Sequence, residues 1–184
     1  IPQSFFHRLF RMPKAWSFMA LWDQDTNRIP VAFLDQGFPT NSDFRTPLTE
    51  CDMEGGSLID GLISGFSCGP GRAQAPPTVG NSFFNERSWH GNGVVTVAGG
   101  IVNNGYGCAG TGGQVVVPVL YRFGLASYAF EVGLGIRKAT LDGAAVINIS
   151  AGYPCRVVTD IGNQEICSFG GRLEFCTLLT ESLT

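Results

Sequence analysis

The stretch RIPVAFLDQGF (residues 28–38) holds a short, unbroken apolar run from Ile29 to Leu34, ended by Asp35 and then Gln36-Gly37. A strand with one wet face alternates apolar and polar side chains. A continuous run of this length reads as a strand of a parallel sheet, buried on both faces. Downstream, GGQVVVPVL (112–120) repeats the pattern with Pro118 towards its end, and AAVINIS (144–150) gives a third buried strand. Residues 91–102 between them suit a helix. Val94, Val95, Ala98, Ile101 and Val102 recur at three- and four-residue spacing, and NNGYG stops the run. SYAFEVGLGIRKATLDG (127–143) reads as a second helix, with Arg137 and Lys138 near its last turn and Gly143 closing it. Strand, helix, strand, helix, strand predicts an α/β domain whose mostly parallel sheet is flanked by helices and joined by right-handed crossovers.

Around this frame the chain is less regular. From Pro39 to Arg87 it is rich in Gly, Pro, Ser and Asn without a sustained period, and reads as a loop insertion (39–87) with a short helix near 57–65. A loop so long inside a compact domain is usually functional or pinned by cross-links. Residues 1–27 form a lead-in segment, and from residue 153 a Cys-rich tail runs to 184 with a weak pattern.

Composition narrows the class. Hydrophobic residues make up 44% of the 184 and charged residues 15%, which favours one folded domain over disorder. The net charge is −3 and the 12 Lys and Arg are scattered, so nothing electrostatic recommends nucleic acid or an anionic membrane as partner. No apolar run reaches the roughly 18–20 residues of a membrane span. The opening IPQSFFHRLFRMPKAW is amphipathic, but Pro2 and Pro13 keep any helix short, and it lacks the apolar centre of a signal peptide. An Ile in place of Met at position 1 fits a processed or trimmed product, or a chosen start point equally well. Six cysteines (Cys51, Cys68, Cys108, Cys155, Cys167, Cys176) without a CxxC pair, beside only two histidines, argue against zinc. They favour disulfides in a secreted or otherwise extracytoplasmic setting over buried free thiols, with connectivity open.

Chemistry in parallel sheets gathers at the carboxyl ends of strands. Asp35 lies there, and Gly37 lets the chain turn sharply. Alone, such an aspartate would more often cap a turn. His90, in SWHGNGVVTVAGG (88–100), immediately precedes a helix, and alone it would more often be a partly buried imidazole bonded to backbone. GYGCAG (105–110) fits G-x-G-x-x-G but follows a helix and precedes a strand. That is the reverse of what dinucleotide binding requires, and the reading is rejected. Asp23, Asp25 and Asn27 alternate oxygen side chains as calcium ligands would, yet the run reads more simply as a solvated polar turn. No cofactor or metal is expected, beyond a possible structural calcium on that weak pattern.

Taken in order, VAFLDQGF, HGNGVVTVAGG, VVVPVL and VINISAG resemble the subtilisin family of serine proteases over roughly residues 11–153. The family's aspartate block ends Asp-Ser/Thr-Gly, and this chain has Asp35-Gln36-Gly37. Its histidine block is His-Gly-Thr, a variable residue, then Val-Ala; here His90-Gly91-Asn92-Gly93-Val94-Val95 matches His, Gly and Val, with Asn for Thr. Its substrate strand ends Ser-hydrophobic/small-Gly, which Ser150-Ala151-Gly152 matches, and RMPKAW resembles the family's lead into the first catalytic strand.

The resemblance implies a three-layer subtilisin-like fold, incomplete in this chain. It also implies an endopeptidase in which Asp35 orients His90, and His90 serves as general base and then general acid. A peptide or protein substrate would lie against Ser150, Ala151 and Gly152, and against Tyr121 to Gly124. The 55-residue spacing from Asp35 to His90 exceeds that of a minimal member; the loop between Cys51 and Cys68 accounts for the excess, and those two are expected to pair. The family's Gly-Thr-Ser nucleophile block and its oxyanion asparagine occur nowhere in the chain. The favoured reading is therefore the N-terminal portion of a peptidase domain, whose partner is a C-terminal remainder carrying the serine. The alternatives are a non-catalytic subtilisin-like scaffold that binds a peptide or partner protein, and an unrelated α/β binding module.

Overall fold

The apolar run at 29–35 forms β1 (Ile29–Asp35), flanked on both sides by parallel strands. A computed structural model of the chain describes residues 8–21, 28–74, 89–113, 115–124 and 129–150, with the backbone of 156–159 and 165–168. β2 (Thr49–Asp52), β6 (Val116–Arg122) and β7 (Val146–Ile149) run parallel to β1, while β5 (Ser67–Cys68) pairs antiparallel with β2. The order across this five-stranded sheet is β5-β2-β6-β1-β7. β1 and β6 are in register from Ile29 opposite Val116 to Asp35 opposite Arg122.

Alternation along β1 explains why its sequence is apolar throughout. Ala32 and Leu34 point into one buried cluster with Val119, Tyr121, Val132 and Leu134, against α3 (Ala129–Leu141). Val31 and Phe33 point into a second with Val95, Val116 and Leu120, against α2 (His90–Gly99). The two clusters on opposite faces make a helix–sheet–helix sandwich, an α/β architecture with a mixed, mainly parallel sheet. Pro118 sits mid-strand in β6, not towards its end. Its carbonyl accepts from Leu48 N–H, just ahead of β2, so the N–H it lacks faces a stretch outside the β2 ladder.

Three readings of the sequence need correction. The insertion is not wholly loop: β2 joins the main sheet, although TECD carries no apolar run, because buried Cys51 is its one core side chain. Residues 57–65 form no helix but a hairpin of β3 (Ser57–Ile59) and β4 (Leu62–Ser64), turned at Asp60 and Gly61 with φ of 51° and 77°. An Asp-Gly pair tolerating positive φ at both positions is the strong short-hairpin signal, and it outweighs the apolar spacing around it. β7 is an edge strand instead of a buried one: Val146 is 52% exposed, and among the described residues no strand covers its outer side.

The other elements fall close to expectation. α3 ends in a Schellman arrangement, Gly143 N–H to Thr140 O and Ala144 N–H to Ala139 O. α1 (Met12–Leu21) begins with Pro13 in its first turn, where the missing N–H costs nothing, and Trp16 Nε1 anchors it to Thr111 O. In the tail, β8 (Arg156–Thr159) pairs antiparallel with β9 (Glu165–Ser168). GYGCAG crosses from α2 towards β6, where Gly110 N–H bonds Gly100 O, as a connection and not a phosphate loop.

Cys51 and Cys68 form a disulfide between register partners on β2 and β5, closing the loop that holds the β3–β4 hairpin. Replacing both by alanine is expected to lower stability by about 3 kcal/mol, the loop-closure value for a ring of this size. Denaturant titration of the double variant checks it, and an unchanged midpoint would show that the cross-link constrains nothing. Cys108 is bonded to no other cysteine among the described residues. Cys155, Cys167 and Cys176 fall where no side chain is described, as do the calcium pattern at Asp23, Asp25 and Asn27 and the site positions Ala151 and Gly152.

Candidate active site

β1 delivers Asp35 to the carboxyl edge of the sheet, and α2 starts at His90 directly against it. His90 Nδ1 lies 2.8 Å from Asp35 Oδ2 and 3.1 Å from Oδ1. Gln36 N–H donates to Oδ1 at 2.7 Å. The carboxylate is buried, whereas the imidazole side chain is 51% exposed, so the pair has one dry member and one that solutes can reach. An ionised carboxylate only accepts, so with Asp35 ionised the proton between them is on Nδ1, which in a neutral imidazole leaves the lone pair on Nε2. That tautomer suits a base presented outward.

Gly91 makes this approach possible. A Cβ at that position would stand 2.4 Å from Gly37 O and 2.8 Å from the Phe38 ring. The helix start is therefore seated on the turn that follows Asp35, and only a residue without a side chain fits there. The cap position is held by Trp89, whose side chain makes no capping bond, so the helix start is set by this packing and not by a cap.

Burial raises the Asp35 pKa from its ordinary 3.8, the desolvation of the charged form outweighing the Gln36 N–H and then His90, which both pull it down. The folded state thus holds that proton to higher pH than the unfolded chain does. Stability from this group falls as pH rises from near 3.8 through the raised folded value, and stays lower above it. Asp35→Asn abolishes the titration, so its melting temperature relative to wild type is expected to be more favourable at neutral pH than at pH about 3. Thermal melts at the two pH values check the sign; a difference that moved the other way would show the carboxylate stabilised in its charged form.

A second charged group stands beside the pair. Arg122 is in register with both Asp35 and Asp52, and it is buried. Its guanidinium donates to Asp52 Oδ1 and Glu54 Oε2, each at 2.6 Å, leaving His90 as the one basic side chain bonded to Asp35 among the described residues. Neither this cluster nor the role of Gly91 was foreseen. The signal for the second was the motif glycine itself, whose contact partner lies 54 residues earlier, counted from Gly37 to Gly91 (91 − 37).

Ser150 follows β7 at the same sheet edge, one strand across from Asp35, and accepts from Asn148 Nδ2. No bond ties it to Asp35 or His90 among the described residues. Tyr121, placed beside the substrate by the resemblance, is instead fully buried below the sheet, its hydroxyl donating to Asp142 Oδ2 at 2.5 Å. Burial and that carboxylate both push its pKa up, so it is neutral and unavailable to a substrate. Gly124 remains at the edge, against the Glu54 side chain. Among the described residues no group of three or more His, Cys, Asp and Glu is arranged to hold a metal, and no helix is long and apolar enough to cross a membrane.

No family model matches the chain, and neither a curated protein nor a solved structure does.

Proposed function

We propose that this chain carries the aspartate and histidine of a subtilisin-type serine endopeptidase, with the nucleophilic serine on a segment outside residues 1–184. The observation that carries the reading is the bond from His90 Nδ1 to Asp35 Oδ2 across 55 residues of sequence, at the carboxyl edge of a parallel sheet. Further support comes from Gly91, which belongs to the motif and is the residue that lets the pair form.

In this scheme the serine Oγ adds to the peptide carbonyl while His90 Nε2 takes its proton. Asp35 holds the imidazole in the Nδ1–H tautomer and stabilises the imidazolium. His90 then gives the proton to the leaving amine, whose C–N bond breaks to form an acyl-enzyme. Water repeats the cycle through the same nitrogen and frees the acid. By the resemblance, a substrate would extend along Ser150, Ala151 and Gly152, with Gly124 on its other side. A partner polypeptide segment supplying the serine would also cover the open edge of β7. The Cys51–Cys68 disulfide fits an extracytoplasmic location.

The test is covalent labelling of the full-length protein with a fluorophosphonate. A single adduct on a serine beyond Thr184, lost in His90→Ala, is the expected result. A protein that stays unlabelled while a known serine protease reacts in the same buffer is not a protease of this kind, and the reading as a peptide-binding scaffold takes its place.

A further inference from the structure

Asn92 stands where the resembled motif has threonine, two residues beyond His90 in the first turn of α2. Its side chain is buried, and Nδ2 donates to the carbonyl of Pro39 at 2.7 Å. Oδ1 is buried and has no partner among the described residues. Leaving a buried amide acceptor unmet is costly, and a leucine of similar size would occupy the space without that penalty. What the amide does that leucine cannot is bond the turn at 37–39, which leads directly away from Asp35. Gly91 touches the same turn through its backbone, at Gly37 and Phe38. The helix start is thus fastened to the end of β1 at two neighbouring points, and His90 and Asp35 meet across that seam.

We infer that Asn92 is a positioning residue: its bond to Pro39 holds the first turn of α2 on the turn after β1, and so keeps His90 Nδ1 on Asp35. The inference deepens the proposed protease reading and rests on it for its catalytic meaning. Its readout, however, is the Nδ1 proton itself.

In the full-length protein labelled with 15N-histidine, the His90 signal is assigned as the one lost in His90→Ala, with His7→Gln as a control for the other histidine of residues 1–184. In the parent protein the Nδ1 proton is expected to exchange slowly with water. In Asn92→Leu it is expected to exchange at least about tenfold faster, while the melting temperature stays within about 4 °C. An unchanged exchange rate in Asn92→Leu overturns the inference, as does a faster rate that only follows a fall in global stability. If Asn92→Leu does not fold, Asn92→Ala gives the same reading, and loss of folding in both assigns Asn92 to the scaffold and overturns it. Fluorophosphonate labelling separates the two levels. A responsive proton in a protein that never labels keeps the clamp and removes the protease; labelling beside an unresponsive proton does the reverse.

Discussion

His90→Ala in the full-length protein is expected to lower kcat by roughly three to six orders of magnitude, with KM little changed. The size follows from what Nε2 does in the proposed cycle. It removes the nucleophile's proton, and without it the serine stays a neutral, weak nucleophile. Binding is untouched, because the imidazole meets the substrate only through the reacting atoms. Hydrolysis of a fluorogenic peptide under saturating conditions measures the effect. A loss below about tenfold would show that the imidazole is no base. The melting temperature of the same variant should move little, since the ring is half-exposed and its removal opens no large cavity.

The second large effect is expected from Gly91→Ala. Helix propensity alone would favour alanine by about 1 kcal/mol. Against that, the new Cβ would sit 2.4 Å from a backbone oxygen, which cannot swing aside as a flexible side chain can. Overpacking costs about 1–3 kcal/mol, and a backbone oxygen that cannot move puts this clash at the upper end, so it outweighs the propensity gain by up to about 2 kcal/mol. The helix start must then lift from the turn, carrying His90 off Asp35, so activity falls along with stability. Gly93→Ala is the internal control: two positions along the same helix, nothing lies within 4 Å of where the added methyl would stand, so the propensity gain stands alone. Parallel denaturant titrations of the two variants check the sign of each. A Gly91→Ala protein as stable as Gly93→Ala would mean that the helix is not seated on the turn.

What the sequence discloses and what it hides divide along physical lines. β1, β6, α2 and α3 were legible because short unbroken apolar runs and a helical spacing of apolar residues both reflect burial in the core. β2 was not, since four residues with one core side chain carry no period, and its place in the sheet depends on β6 some 70 residues away. The hairpin at 57–64 was legible in principle: Asp60-Gly61 between apolar pairs outranks the helical spacing that misled. The edge position of β7 depends on what flanks it, which VINI cannot encode. At the site, strand-end and helix-start placement made Asp35 and His90 candidates, and only the order of the resembled motifs set them together. The seam that joins them was not, because Gly91 meeting Gly37 and Asn92 meeting Pro39 are tertiary contacts whose local sequence reads as an ordinary small-residue helix. Tyr121 was misplaced for a related reason: strand parity turns its side chain into the buried cluster on the α3 face, beside Val132 and Leu134.

The measurement closest to the central claim is the protonation and bonding of His90 in solution. With 15N-labelled histidine at neutral pH, His90 should carry its proton on Nδ1, at a resonance far downfield that disappears in Asp35→Ala. A His90 protonated on Nε2, or an Nδ1 proton indifferent to Asp35→Ala, would contradict the pairing on which the protease reading is built.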